Sequence, residues 1–521
     1  MSLLNVNAYE STIEGMVNSS LIFAHSHQPA MRGLFPYERP PTEPGESTGD
    51  GKFGPIRVRR GPFKDTLVHN HTDQASGECY LLICHNLDYI VTGWSPPLLM
   101  QLGDPITAHN REVFEKVRET GRKQKGNILA ELFSHPIAPL LSNENLEIQL
   151  DWSIEFYKYM FGYSPKSMWF AESAVNSRVL KAASERGIEN TILAPWQVSG
   201  FENTFKPYKL ILEGREMNVV LFDPISTPYS FEDWVTMNAE EFLKMQLRLL
   251  ENANATGNIL MVIASDTEFY NHHKPDRHMF IDKYLELLQQ QDSKIQLITN
   301  LESYIQAHKP TKGVTLNENT AWSLEHKTES WERGGPENWK ADVRKAINDY
   351  DVEFWILFYE KGKKIFRDPL GAAKSYIKLI LDPGNLEPLK SEMENPTDEN
   401  IGKAMYLLDA MTFVQFMHTS CALFFEWPGL ETEGAFKAAY FSLLSLIKSG
   451  LYNENELDNL KNKFLEPLNQ SKLRIIPPSR TFADDFRRVV GYHDINLDPF
   501  IGNKEYIRRT GLHMPQLLHF H

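Results

Sequence analysis

The sequence predicts an α/β fold: a parallel sheet rolled into a closed or nearly closed barrel with helices outside it, followed by a region built of helices alone. Three observations predict it. Up to about residue 300, short apolar runs alternate with stretches whose apolar residues recur three and four apart, the periods of strands and helices in turn. From Asn338 onward only the helical period persists. Several apolar runs also end directly on ionisable residues, as expected where the strand ends of a parallel barrel open on one face.

Taken in order, the strand-like runs are 21–24, 128–131, 168–171, 191–194, 219–222, 259–264 and 295–299. Helical patterns lie between several of them, at 146–160, 177–186, 239–251 and 279–290. Further helices are expected at 339–350, 371–381, 401–425 and 432–449, with a polar linker at 383–396. This divides the chain into a barrel domain, 1–310, and a helical C-terminal domain, 311–521, that contributes to the cleft. The stretch 40–54, rich in Pro, Gly, Glu and Thr, reads as a long functional loop.

Composition narrows the partners. With 521 residues and 42% hydrophobic side chains the chain can bury a sizeable core. Acidic residues outnumber basic ones, 68 to 54, for a net charge of −14, which argues against nucleic acid and against polyanionic substrates. A neutral substrate fits. The aromatic content, 12%, suits sugar-stacking platforms and suits a core equally. Three cysteines, Cys79, Cys84 and Cys421, offer no disulfide framework and no zinc spacing, so a reducing, cytoplasmic compartment is expected. The first residues lack a basic region followed by an apolar run, and no apolar stretch nears the ~20 residues that span a bilayer, so neither a signal peptide nor a membrane partner is expected.

The chemistry stands at the ends of the runs. Residues 21–24 lead into His25-Ser26-His27, 168–171 into Glu172, 219–222 into Asp223, and 259–264 into Ser265-Asp266-Thr267-Glu268. Two carboxylates on one barrel face suit glycoside hydrolysis, in which one attacks the anomeric carbon and the other protonates the leaving oxygen. The acid must keep its proton near neutral pH, and Glu268 is one source of a field that would raise the pKa of Asp266. His25 and His27 alternate along an extended segment and face the same way; sugar hydroxyls, a structural role and a metal ion are the three readings open to them. His272, His273 and His135 are further candidates for substrate contact, and Trp169 and Trp322 for aromatic walls or for core.

At these residues the sequence resembles glycoside hydrolase family 57. The resemblance rests on His27-Gln28-Pro29, on Trp169-Phe170-Ala171-Glu172, on Asp266-Thr267-Glu268, and on Ala321-Trp322-Ser323 followed by Trp331 and Trp339. It implies an incomplete TIM-like (β/α)7 barrel whose cleft is partly closed by the helical region. It also implies a retaining mechanism on α-linked glucans that needs neither metal nor cofactor, with Glu172 as nucleophile, Asp266 as general acid/base, and Gln28 and Glu268 beside the substrate. The stretches Glu78-Cys79-Tyr80, Arg367-Asp368-Pro369 and Thr419-Ser420-Cys421 look like a poorly characterised, amylase-like branch of that family. Two departures stand out. Thr267 occupies the position of a glycine, bringing a β-branched side chain. In Gly126-Asn127-Ile128-Leu129-Ala130-Glu131 the carboxylate is displaced from the family's second motif, so Glu131 receives no role.

The leading expectation is thus an α-amylase-like hydrolase of α-1,4 bonds. A 4-α-glucanotransferase or branching enzyme shares its first chemical step. A metal-dependent carbohydrate deacetylase would need further ligands near His25 and His27, and no His-X-X-X-His supplies them. A catalytically impaired glucan-binding protein is the non-enzymatic alternative, prompted by Thr267.

Overall fold

Alternation along the strands decides which side chains enter the barrel. The computed structural model describes residues 18–27, 33–34, 58–59, 78–103, 108–227, 238–252, 258–270, 276–290, 295–323, 327–382, 384–428 and 430–471. Within it, β1 (Asn18–Ser26) and β7 (Ile259–Asp266) pair in parallel over eight residues, with His25 opposite Asp266. In β1 and β7, Leu21, Phe23, Leu260, Val262 and Ala264 face one way and pack on Trp169, Ile192, Val220 and Phe222. Ile22, Ala24, Met261 and Ile263 face the other way and pack on Phe242, Phe280, Ile281 and Tyr284 of the helices Ala239–Asn252 and His278–Gln289. Strands buried on both faces read as unbroken apolar runs, which is why these two are so plain in the sequence.

The sheet closes through short pairings. β1 pairs with β2 (Val91–Trp94), and β2 with β3 (Ile128–Leu129). Single parallel bridges then link Ala130 to Met168 and Ser167 to Asn190, the first residue of β4 (Asn190–Leu193). β4 pairs with β6 (Arg215–Leu221), and a bridge from Phe222 to Val262 returns to β7. The ring has seven members, one of them the bridged segment 167–169. Outside it, β5 (Tyr208–Leu212) forms a hairpin with β6, and β8 (Ile295–Leu297) pairs with the first residues of β1. β9 (Gly313–Leu316) pairs in parallel with β5.

Beyond β9 the described chain is helical: Trp339–Gly362, Pro369–Ser375, Ile377–Leu381, Glu387–Glu392, Asp398–Met417, Leu430–Ser449 and Glu454–Gln470. Local signals start several of them. Thr397 and Asn453 accept from the amides of Asn400 and Glu456, and Asp368 caps a helix that opens on Pro369.

Several expectations are corrected. The run 168–171 makes one bridge, at Met168, beside a second at Ser167, and no ladder, and the chain turns left-handed at Glu172 and Ser173 (φ 56° and 51°). β2 was not expected: Val-Thr-Gly-Trp is too short and too mixed to show a period. The antiparallel hairpin at Gly214 (φ +72°) interrupts the expected alternation. The helix expected over 401–425 stops at Met417, where Thr419 is extended and Ser420–Leu423 forms a separate tight turn. Part of the expected linker 383–396 is the helix Glu387–Glu392. The segment 40–54 lies outside the described residues.

Candidate active site

The inward-facing series of β1 runs 21, 23, 25 and that of β7 runs 260, 262, 264, 266, so His25 and Asp266 stand at the C-terminal rim on the interior side. Two residues past Leu129 of β3, Glu131 continues the same series. Its carboxylate lies over Gly93 of β2, where an added Cβ would fall 2.3 Å from Oε1. A glycine at that point is what admits the side chain.

His25 Nε2 stands 2.6 Å from Asp266 Oδ1. Burial by itself would depress the imidazole pKa, but Asp266 and then Glu131 and Glu268 override it and push it up to about 10, so His25 carries a proton. Glu131 is fully buried, 3.8 Å from His25 Nδ1 and 3.7 Å from His135 Nε2. Burial raises its pKa to about 8. Glu268 is also buried and accepts from the Tyr80 hydroxyl at 2.7 Å and from the His27 amide at 3.1 Å. Desolvation lifts it to about 7.

Glu172 approaches from the other side of the cleft. Its left-handed backbone turns the carboxylate onto Trp322, whose indole Nε1 donates to Oε2 at 2.9 Å while its amide donates to the Glu172 carbonyl at 2.8 Å. Burial, then the charge of Asp266, raises the Glu172 pKa to about 7, against the pull of that indole hydrogen bond. The two carboxylates therefore feel each other. Asp266 is the more open, with 38% of its side chain exposed.

His27 hydrogen-bonds Ser95 through Nδ1 at 2.8 Å, and its ring stacks on His135 with centroids 3.7 Å apart. Burial depresses both imidazoles well below the usual range, so both are neutral. His135, left-handed at φ 55°, meets the Ser420 hydroxyl at 2.9 Å and accepts from the Ser420 amide. The helical region thereby reaches the floor of the cleft.

The structure thus brings His25, His27, His135, Glu172, Asp266, Glu268 and Trp322 together. Trp169 is buried completely, beneath His25 and Trp322 at centroid distances of 5.8 and 5.3 Å, so it is floor and not a wall open to substrate. Trp331 and Trp339 are buried as well. Gln28, His272 and His273 lie outside the described residues. Asp223 caps its own turn by accepting from the Ser226 amide. Thr267 is buried, and its Oγ1 accepts from Ser26 at 2.7 Å, which satisfies its hydroxyl within the wall.

The sequence reading named Glu131 but gave it no role, and it missed Tyr80, Ser95 and Ser420. Strand alternation could have placed Glu131 in the site; nothing in sequence joins Tyr80 or Ser420 to strand ends hundreds of residues away. It also sought additional metal ligands along one helix, whereas His25, Glu131 and His135 converge in space from separate segments, their ligand atoms within 4.8 Å of one another.

The family model for glycosyl hydrolase family 57 matches residues 63–317. This chain carries a family 57 domain. That family comprises glycosidases and transferases of α-glucans. Residues 336–473 match a second model, a domain of unknown function (DUF3536), so the helical region bordering the family 57 barrel has a family of its own. No curated protein matches the sequence significantly. Among solved structures, an exo-type maltose-forming amylase from Pyrococcus sp. ST04 superposes with a TM-score of 0.65 at 13% identity, over 96% of each chain. A family 57 branching enzyme from Pyrococcus horikoshii gives 0.53 at 14% identity, over 94% of this chain and 97% of that one. A 4-α-glucanotransferase from Thermococcus litoralis gives 0.51 at 15% identity; the match covers 83% of this chain and 60% of that one. At such identities these likenesses show the fold: a family 57 barrel followed by helices.

Proposed function

We propose that the chain is a retaining enzyme of α-linked glucans, α-amylase-like, in which Glu172 attacks the anomeric carbon and Asp266 serves as general acid/base. The observation that carries this is the pairing of Glu172, half-buried against Trp322, with the more open Asp266 on the same rim, close enough for the charge of Asp266 to act on Glu172. We read the neutral His27 as the group that orients a sugar hydroxyl, with His25, tied to Asp266, holding the acid/base in position. Phe424, Phe425 and Trp427, exposed within seven residues of Ser420, offer aromatic faces that the buried Trp169 does not.

The first step needs Glu172 ionised and a proton on Asp266. In the free protein Glu172 holds its proton up to about 7. Two coupled carboxylates share one proton as a unit. As substrate fills the cleft, the positive charge growing at the anomeric carbon stabilises the Glu172 anion, which gives up its proton toward Asp266. The proton then sits where the leaving oxygen needs it.

The raised pKa of Glu172 also favours a second reading, in which Asp266 attacks and Glu172 protonates. Hydrolysis and transfer to a sugar hydroxyl differ only in the acceptor that Asp266 activates in the second step. The glucan-binding alternative, prompted by Thr267, is separated from the enzyme by turnover, since the Thr267 hydroxyl itself is bonded to Ser26 within the wall.

The test is incubation of wild type, Glu172→Gln and Asp266→Asn with maltooligosaccharides, following products and their anomeric form. Wild type should release products of retained configuration. Loss of the general acid should slow turnover by ~10²–10⁴-fold. Longer products beside shorter ones identify a transferase; inverted products, or full turnover by Glu172→Gln, refute the assignment.

A further inference from the structure

We propose that His25, Glu131 and His135 form a binding site for a divalent metal ion of the zinc class at the floor of the cleft. Glu131 is fully buried, and among the described residues neither of its carboxylate oxygens has a hydrogen-bond partner. His25 Nδ1 and His135 Nε2 are likewise without one. A buried carboxylate is costly unless something of opposite charge or a donor meets it. The separations to the two nitrogens, 3.8 and 3.7 Å, are too long for direct hydrogen bonds. They suit an ion between the atoms: two ligands each about 2.1 Å from zinc in a tetrahedral shell lie about 3.4 Å apart. All three ligand atoms fall within 4.8 Å of one another, and small side-chain rotations close the difference.

The surroundings point the same way. Metal-binding imidazoles are characteristically tied through the nitrogen that does not bind the metal. His25 is tied through Nε2 to Asp266 at 2.6 Å, and His135 through Nδ1 to the Ser420 hydroxyl at 2.9 Å. Each ring therefore turns its other nitrogen toward Glu131. Gly93 keeps the space beneath the carboxylate clear. Two imidazoles and one carboxylate form a donor set for zinc rather than for calcium or magnesium, which prefer oxygen. The ion would fix the imidazole that grips Asp266, a positioning role distinct from the bond-making assigned above.

The experiment uses the full chain, stripped with chelator and titrated with Zn²⁺ against a chromophoric competitor. Wild type should take up one equivalent. Glu131→Gln, which keeps the shape, and His135→Gln should each bind at least about tenfold more weakly. X-ray absorption at the zinc edge of the loaded wild type should show two imidazoles and a carboxylate oxygen at about 2.0–2.2 Å. No stoichiometric uptake by wild type, or equal affinity in both variants, overturns the proposal. If the variants do not fold, the wild-type spectrum decides, and a shell with fewer than two imidazoles overturns it. Binding is read without substrate, so failure here leaves the roles of Glu172 and Asp266 untouched.

Discussion

At the scale of single residues, the account turns on what sets the charge of Glu172. The side chain is desolvated and stands in the field of Asp266, and both effects favour its neutral form; the indole of Trp322 donates to it and favours the anion. The first step needs one proton on the pair, carried to Asp266 as Glu172 ionises, so activity is present below the pKa of Glu172 and is lost as pH rises through it. The kcat/KM of wild type should therefore fall about tenfold per pH unit above about 7. Trp322→Phe removes the donor that stabilises the anion, and its alkaline limb should move to higher pH. A limb that stays in place in the variant would show that the indole does not tune the nucleophile. The residues carrying this chemistry were mostly legible in the sequence, because Glu172, Asp266, His25 and Glu268 each follow an apolar run. Tyr80 and Ser420 were not, since each acts through one hydrogen bond made across the fold. Trp169 stayed open between wall and core for a related reason: a tryptophan beside a strand-end carboxylate looks the same in sequence whether it faces the cleft or the core, and burial places it in the floor.

At the scale of elements, short pairings hold the long strands in a ring. Helix Ala108–Lys123 packs Gly121 directly against Phe161 and Ile128, where an added Cβ would lie 2.4 Å from the Phe161 ring and 2.8 Å from Ile128 Cδ1. Gly121→Ala would gain about 1 kcal/mol in helix propensity. It would lose ~1–3 kcal/mol to overpacking, because both neighbours are buried in close contact. We expect net destabilisation, read as a lower thermal midpoint; a higher midpoint would mean that Phe161 moves aside freely. Elements with a strong period were readable, such as β7, buried on both faces, and the helix Ser177–Glu185, expected over 177–186. β2 was missed, four residues whose pairing depends on neighbours already in place, whereas β3 fell within the run expected at 128–131 although only two of its residues pair. The helix Glu454–Gln470 was not expected, although the capping box at Asn453 and Glu456 is a signal that could have found it.

At the scale of the molecule, the barrel and the helices share a core. One apolar cluster runs from Cys79 and Trp94 through Trp152 and Phe170 to Phe358, Leu408 and Leu468. Trp152 of the helix Asn143–Phe161 donates to the Ala373 carbonyl, and Asn145 of the same helix binds Asp351 at 2.7 Å. A chain of this length could unfold in separate steps. With its core shared in this way it should show a single thermal transition by both far-ultraviolet and tryptophan signals. Two resolved transitions would mean that the helical region is an independent unit. Sequence could not foresee this unity, because the change of period near Asn338 marks a change of architecture and says nothing of how the two parts pack.

The most direct test of the central claim is to trap the glycosyl-enzyme. A fluorinated α-glucosyl fluoride that forms the intermediate quickly and releases it slowly should label the wild-type protein once. Peptide mass spectrometry should place the label on Glu172, and Glu172→Gln should remain unlabelled. A label on Asp266 would reverse the two roles, and a protein that turns over α-glucans with no label on either carboxylate would contradict the double-displacement account.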